Sequence, residues 1–155
     1  MISPELLRRY PYFARLSDVQ LRAIAMIADE LDTPQGTIVL EERETADWFF
    51  LLEEGSIDLS YKSEEPYHPK TTKVFPVGEI NPGEIFGISS LVEPHQYNAT
   101  ATASMDCKMI RIDAKALRTL ADLDCSMGYV LIQQVAMAIM DRLTSTRVQL
   151  AAARA

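Results

Sequence analysis

The stretch Pro82 to Ala103, PGEIFGISSLVEPHQYNATATA, leaves the chain few ways to fold. Gly83 and Gly87 bracket Glu84-Ile85-Phe86, and glycine admits positive φ and lets the backbone approach a neighbour or a ligand closely. The spacing predicts a short strand, a glycine turn, a brief helix and a second strand. Ser89-Ser90-Leu91 directly after Gly87 can open a helical turn, and the free N–H groups of such a turn, beside hydroxyls, suit an anion. Alternating Ala99-Thr100-Ala101-Thr102-Ala103 is a strand of small residues that leaves room beside it. Glycine spacing alone favours a tight connection packed inside a β-barrel.

The rest of the chain sets the context. Ser3-Pro4-Glu5 is a helix start that ends near Tyr10-Pro11, and Ser17 to Gln20 has the capping-box pattern of a second helix bearing Leu21, Ile24, Ala25, Ile27 and Ala28. A strand pattern begins at Leu31. Thr37 to Leu40 is β-branched after a Pro34-Gln35-Gly36 turn, Trp48 to Leu52 is an apolar run, and Ile57, Leu59 and Tyr61 alternate. Lys62 to Thr72 is polar and proline-broken, a mobile hairpin tip. Lys73 to Val77 and Cys107 to Ile112 are further strands, and Asp113 caps a helix with Ala114, Leu117, Leu120 and Ala121 on one face. Short strands with regular turns and helices at both ends predict a mainly β α+β fold. Its centre is an antiparallel β-barrel or jelly roll, a double-stranded β-helix, with N-terminal helices and a long C-terminal helix. Residues 1–122 form the body and 123–155 the terminal helix of the same domain.

That helix runs from about Ser126 to Arg154, capped by Asp124 or Ser126. Ile132, Ala136, Ile139, Leu143, Thr146 and Leu150 repeat at spacing 4-3-4-3-4, a heptad seam. Leu131, Val135 and Ala138 form a second stripe that can face the barrel. A helix packed wholly on its own domain needs one stripe, so the pair of stripes predicts a homodimer through this helix.

PGEIFG, then SSL, a gap, and A-T-x-x-A together resemble the phosphate-binding cassette of cyclic-nucleotide-binding domains, the family of catabolite-activator-type regulators and protein kinase A regulatory subunits. Gly83, Glu84, Phe86, Gly87, Ser90 and Leu91 match its first half, and Ala99, Thr100 and Ala103 its second. Phe49 through Leu59 is similar to the family's strand–glycine–strand signature, and the N-terminal segment to its entry helices. The resemblance implies a regulatory, signal-transducing, nucleotide-binding jelly roll whose terminal helix both dimerises and closes over the ligand. It makes Gly83, Glu84, Phe86, Gly87, Ile88, Ser89, Ser90, Tyr97, Asn98, Ala99 and Thr100 the candidate ligand-binding set, with Gln133, Gln134, Met137 and Met140 as candidate caps.

The chain departs from the family at three positions. Ile88 stands where the family has its ribose-binding glutamate, and Tyr97 where it has its phosphate-binding arginine. Arginine offers a fork of donors and a permanent charge, whereas tyrosine offers one neutral hydroxyl. Losing one member of a desolvated charge pair costs roughly 3–5 kcal/mol, two to three decades in affinity. Arg111 or Arg142 could replace the charge if the fold brings one of them round. Weak or absent cAMP and cGMP binding follows, with a cyclic nucleotide or another small anionic ligand, more apolar, as the effector. The third departure is Arg43, near a position where the family often has glycine. A ligand-independent scaffold for a protein partner is the alternative, and a metal- or haem-binding barrel is a third.

Several classes are disfavoured by what the chain contains. A net charge of −7 and a pI near 4.8 argue against a nucleic-acid surface, and no helix-turn-helix follows the long helix. The sequence has no membrane-length apolar run and no signal peptide, which predicts a cytoplasmic protein with no membrane partner. Cys107 and Cys125 lack CxxC spacing and are expected as free thiols. His68 and His95, the two histidines, fall in a hairpin tip and in the cassette loop, so no metal site is expected, although a haem-sensing variant of the family leaves His95 as a conceivable ligand. With no Ser-His-Asp order, GxxxxGK[ST] loop or paired acids, an enzyme is not expected.

Overall fold

A computed structural model describes residues 1–64 and 72–155. The N-terminal unit is α1 (Pro4–Arg8), a 3-10 turn at Pro11–Phe13 and α2 (Asp18–Met26). Ser3 and Ser17 cap the two α-helices. The capping box is complete: the Gln20 N–H donates to the Ser17 hydroxyl and the Ser17 N–H to the Gln20 side chain.

Eight strands follow, arranged as two antiparallel four-stranded sheets. They are β1 (Ala28–Thr33), β2 (Ile38–Leu40), β3 (Trp48–Glu54), β4 (Ile57–Glu64), β5 (Thr72–Ile80), β6 (Ile85–Phe86), β7 (Thr100–Ala103) and β8 (Cys107–Asp113). One sheet has the order β1-β8-β3-β6 and the other β2-β7-β4-β5. Each sheet thus joins strands distant in sequence, as a jelly roll requires. The expected mainly β fold with helical ends is present, as an open pair of sheets among the described residues.

Boundaries moved where pairing outweighs local pattern. β1 begins at Ala28, not Leu31, because Ala28 already pairs with Ile112 across β8. β5 passes through Gly78 to Ile80. Pro76 is tolerated because β5 is an edge strand and the register shifts opposite it, between Leu59 and Ser60. The expected hairpin tip is strand at its ends, up to Glu64 and from Thr72, and its centre, with His68, lies outside the described residues. Arg43 has a left-handed φ of 72°, a backbone region that favours glycine, and its N–H donates to the Tyr97 carbonyl at 2.7 Å.

Two apolar clusters fill the interior. The first joins the N-terminal helices, the inner face of the β1-β8-β3-β6 sheet and the C-terminal helices through Leu7, Phe13, Leu21, Phe49, Ile112 and Leu131. The second lies between the sheets around Phe50, Leu52, Ile57, Phe86 and Met109. After β8, α3 (Ala114–Leu123) is capped by Asp113, and α4 (Cys125–Arg154) by Asp124. α4 has 30 residues, roughly 45 Å at the usual rise. It buries Met127, Leu131 and Val135 and leaves its last turns exposed. Cys107 and Cys125 are both free thiols, the first buried and the second exposed.

One half-buried acid sits between the sheet and the entry helices. Glu53 Oε1 accepts from the Tyr10 hydroxyl at 3.3 Å, while its Oε2 is buried without a partner. Burial and the neighbouring Glu30 push its carboxyl up from 4.5 to about 7. An acid with a raised folded-state value takes up protons on folding between these two limits, so its stabilising contribution is full below pH 4.5 and is lost as pH rises through about 7. The melting temperature is therefore expected to fall between pH 5 and pH 8, and Glu53→Gln to flatten that fall; parallel scans of the two proteins at several pH values check this.

Candidate functional site

A cavity of about 620 Å³ lies between the Pro82–Ala103 segment and α4. Gly83, Glu84, Gly87, Ile88, Ser89, Tyr97, Asn98 and Ala99 line it from the segment. Leu40, Leu59, Tyr61 and Val77 extend the wall from the second sheet, and Gln134, Met137, Ile139, Arg142, Leu143 and Thr146 face it from α4. This size and mixed lining suit a small organic ligand.

Glycine geometry shapes the entrance. Gly87 has φ 65°, and a Cβ there would stand 3.0 Å from Phe50 and 3.1 Å from the Trp48 carbonyl. Both the backbone angle and the lack of space require glycine. The brief helix is a single 3-10 turn, Ile88–Leu91, whose Ser90 N–H already donates to the Gly87 carbonyl at 3.1 Å. It is too short to serve as a helix-terminus anion site.

Three of the expected ligand residues face elsewhere. Phe86 is fully buried and stacks on Phe50 with ring centres 4.8 Å apart. Ser90 is fully buried, and its hydroxyl donates to the Gly87 carbonyl at 2.7 Å. Thr100 is buried, and its hydroxyl oxygen accepts from the Glu42 N–H at 3.1 Å. Their sequence pattern marks the scaffold of the segment and not its contact surface. Among the expected caps, Gln134 and Met137 line the cavity. Gln133 instead accepts from Arg15, and Met140 faces solvent.

Ile88 and Tyr97 reach the cavity only in part. Ile88 is 8% exposed and belongs to the cluster under the helices. Tyr97 is 6% exposed; its hydroxyl donates to the Trp48 carbonyl at 2.7 Å and accepts from the Trp48 N–H at 3.1 Å. Both hydrogen-bonding directions of the phenol are therefore spent on β3, and burial pushes its pKa up to about 12. Tyr97 lines the cavity but directs its polar atom to Trp48.

The two arginines differ in placement. Arg111 lies over the Trp48 ring at 4.1 Å and 4.0 Å from Asp29, on the first sheet. Arg142 comes from α4 into the cavity wall, where its Nη2 donates to the Ile85 carbonyl at 2.5 Å. Burial lowers its pKa, and the charge of nearby Glu84 opposes that shift. Periodicity could have found Arg142: it continues the buried stripe Met127, Leu131, Val135, Ala138 at spacing 4-4-3-4. A stripe scored only for apolar residues stops at Ala138.

The α4 seam divides. Ile132, Ile139, Leu143 and Leu150 are 46–52% exposed, while Ile139, Leu143 and Thr146 also line the cavity. Ala136 is exposed. His95 takes a left-handed φ of 58°, and its backbone joins the loop to Ala46 and Val92. No group of three or more His, Cys, Asp or Glu residues able to hold a metal occurs among the described residues. Among them, no helix is long and apolar enough to cross a membrane.

Residues 30–124 match the family model of the cyclic nucleotide-binding domain, and the chain belongs to that family. No curated protein matches it. Among solved structures, a candidate cyclic nucleotide-binding protein from Geobacter metallireducens GS-15 is 38% identical, with TM-score 0.79 over 92% of this chain and 99% of that one. The sensor domain of the transcriptional regulator DNR from Pseudomonas aeruginosa is 23% identical, with TM-score 0.66 over 90% of this chain and 95% of that one. The regulatory domain of Toxoplasma gondii PKA, crystallised with cAMP, is 18% identical, with TM-score 0.73 over 88% of this chain and 48% of that one. The last two likenesses show the fold alone.

The Tyr97 hydroxyl is a structural brace. Tyr97→Phe leaves a backbone N–H and a carbonyl of β3 without this partner and is expected to cost about 1–3 kcal/mol of stability, read as a lower urea midpoint with an unchanged slope.

Proposed function

We propose that this chain is a non-catalytic regulatory domain that takes a small effector between its cassette and α4, acts as a homodimer through α4, and binds cAMP and cGMP weakly or not at all. Residues 1–122 form the sensing body and 123–155 the helix that reports occupancy. The observation that carries this reading is the commitment of Ile88 and Tyr97 to the interior beside an otherwise well-formed cavity. A cyclic nucleotide there meets an aliphatic side chain at 88 in place of a sugar-hydroxyl acceptor and, at 97, a phenol whose hydroxyl is engaged by Trp48, while the one guanidinium of the lining, Arg142, comes from α4 and is already bonded to the Ile85 carbonyl. In calorimetric titrations against cAMP and cGMP we expect dissociation constants weaker than about 10 μM, and tighter binding of either would overturn the assignment.

The dimer rests on the exposed seam of α4, whose apolar residues recur at heptad spacing. The chain is expected to sediment at twice 17.4 kDa. Ile132→Glu with Leu150→Glu, both exposed in one chain, should yield a folded monomer. A monomeric parent protein would sink the dimer. The second reading is a ligand-independent dimeric scaffold for a protein partner. It is favoured by the same inward roles of Ile88 and Tyr97.

A further inference from the structure

We propose that Arg142 is the anion anchor of the cavity and that the effector is an amphipathic organic monoanion, an apolar body with one charged end paired to this guanidinium. The inference rests on the effector-binding reading above.

Arg142 is the one charged member of an inward stripe that is otherwise apolar or small: Met127, Leu131, Val135 and Ala138 precede it on the same face of α4. A charge on such a face costs solvation, and arginine keeps its charge when buried. Its observed partner, the Ile85 carbonyl, takes one of the five N–H donors of the guanidinium. No carboxylate among the described residues forms an ion pair with it within 4.0 Å, since Glu84 has turned one oxygen to the Asn81 N–H at 2.9 Å. A side chain whose only task was to cap one carbonyl would need neither the charge nor the fork. The fork matches a carboxylate or a similar planar anion through two parallel bonds.

The lining also sets the charge and the body of the ligand. Arg142 is the single base among the described lining residues, and Glu79, Glu84 and Asp141 are acids. With one base and three acids in the lining, only a charge paired directly with the guanidinium is compensated, and each further negative charge on the ligand is opposed by the acids. Leu40, Leu59, Val77, Ile88, Met137 and Leu143 offer apolar walls to the remainder of the molecule. Arg142 belongs to α4 and already donates to the Ile85 carbonyl of the cassette strand β6, so an anion on its remaining N–H donors is held beside that helix-to-cassette bond.

The test is calorimetry on the full chain with sodium octanoate and with 1-octanol, which share a body and differ in the charged end. We expect octanoate to bind about 10-fold tighter or more, as a charge-assisted hydrogen bond implies. Arg142→Gln should abolish that preference while leaving octanol binding in place, and Arg142→Lys should keep part of it. Thermal melting of each variant shows whether it is folded, and the charge-preserving lysine variant keeps the comparison open if the glutamine variant is not. Equal binding of the two probes by the parent chain, or an undiminished preference in a folded Arg142→Gln, overturns the anchor and leaves the effector cavity standing. Failure of both probes to bind up to about millimolar concentrations removes both.

Discussion

The position of α4 against the entry helices is the constraint on which the cavity depends. The Tyr12 hydroxyl donates to the Leu131 carbonyl at 3.2 Å, Gln20 donates to Asp124 and Ser126, and Arg15 reaches Gln133. Behind these bonds Tyr12 packs on Phe49 with ring centres 5.3 Å apart, so β3 supports the same contact. Hydrogen bonds of this kind contribute about 1 kcal/mol each, whereas burying Met127, Leu131 and Val135 contributes roughly 1.5–3 kcal/mol per side chain. Burial therefore seats the first half of the helix, and the polar contacts fix its rotation. With that rotation set, Ala138 and Arg142 face the cassette, and the seam residues Ile139, Leu143 and Thr146 stand at the cavity's edge.

In the cassette, backbone path and side-chain roles are set by separate constraints. Glycine positions and the small-residue strand keep the backbone path, since Gly87 has no room for a Cβ and Ala101 and Ala103 are buried at the sheet interface. The side chains at 88 and 97 have different work. Ile88 extends the apolar cluster beneath the helices, and Tyr97 clamps Trp48 while its own carbonyl accepts from Arg43. The left-handed Arg43 costs roughly 1 kcal/mol or more, offset in part by that short bond. Tyr97 thus ties together the loop before β3, β3 itself and the end of the cassette. A polar group at either position would need a partner that the fold no longer supplies.

Much of this arrangement was legible in the sequence, for physical reasons that differ by element. The succession of strands along the chain and the helical ends followed from turn residues and from apolar runs such as Trp48 to Leu52, because burial on both faces leaves a continuous signature; the order of strands within each sheet did not. Cap positions Ser3, Ser17, Asp113 and Asp124 were readable because capping is local chemistry. The direction of individual side chains was not. Phe86, Ser90 and Thr100 share the cassette pattern but point into the core, and the pattern cannot separate a residue that shapes a turn from one that touches a ligand. The start of β1 at Ala28 was hidden for the same reason: pairing with Ile112, 84 residues later, overrides a helical local pattern. Arg142 was read only as one of two arginines, because the inward stripe of α4 was followed through its apolar residues and stopped at Ala138.

Ile139, Leu143 and Thr146 belong both to the cavity wall and to the heptad seam. A helix side chain at such an angle is half turned toward the cavity and half toward a facing helix, so the two surfaces cannot be adjusted independently. Arg142 is bonded to β6 and lies within one turn of Ile139 and Leu143, so a shift of that turn carries the guanidinium and the outer faces of both residues together. The reciprocal also holds, because coupling between two sites is symmetric in free energy: a second helix packed on the seam restricts the angles at which Arg142 can meet an anion. The first half of α4 is held by burial and cannot absorb that shift, while the turns beyond Thr146 are exposed and can. Residues 139–146 are therefore where occupancy of the cavity and geometry of the seam meet, and the stiffness of the buried half decides how much of one is transmitted to the other.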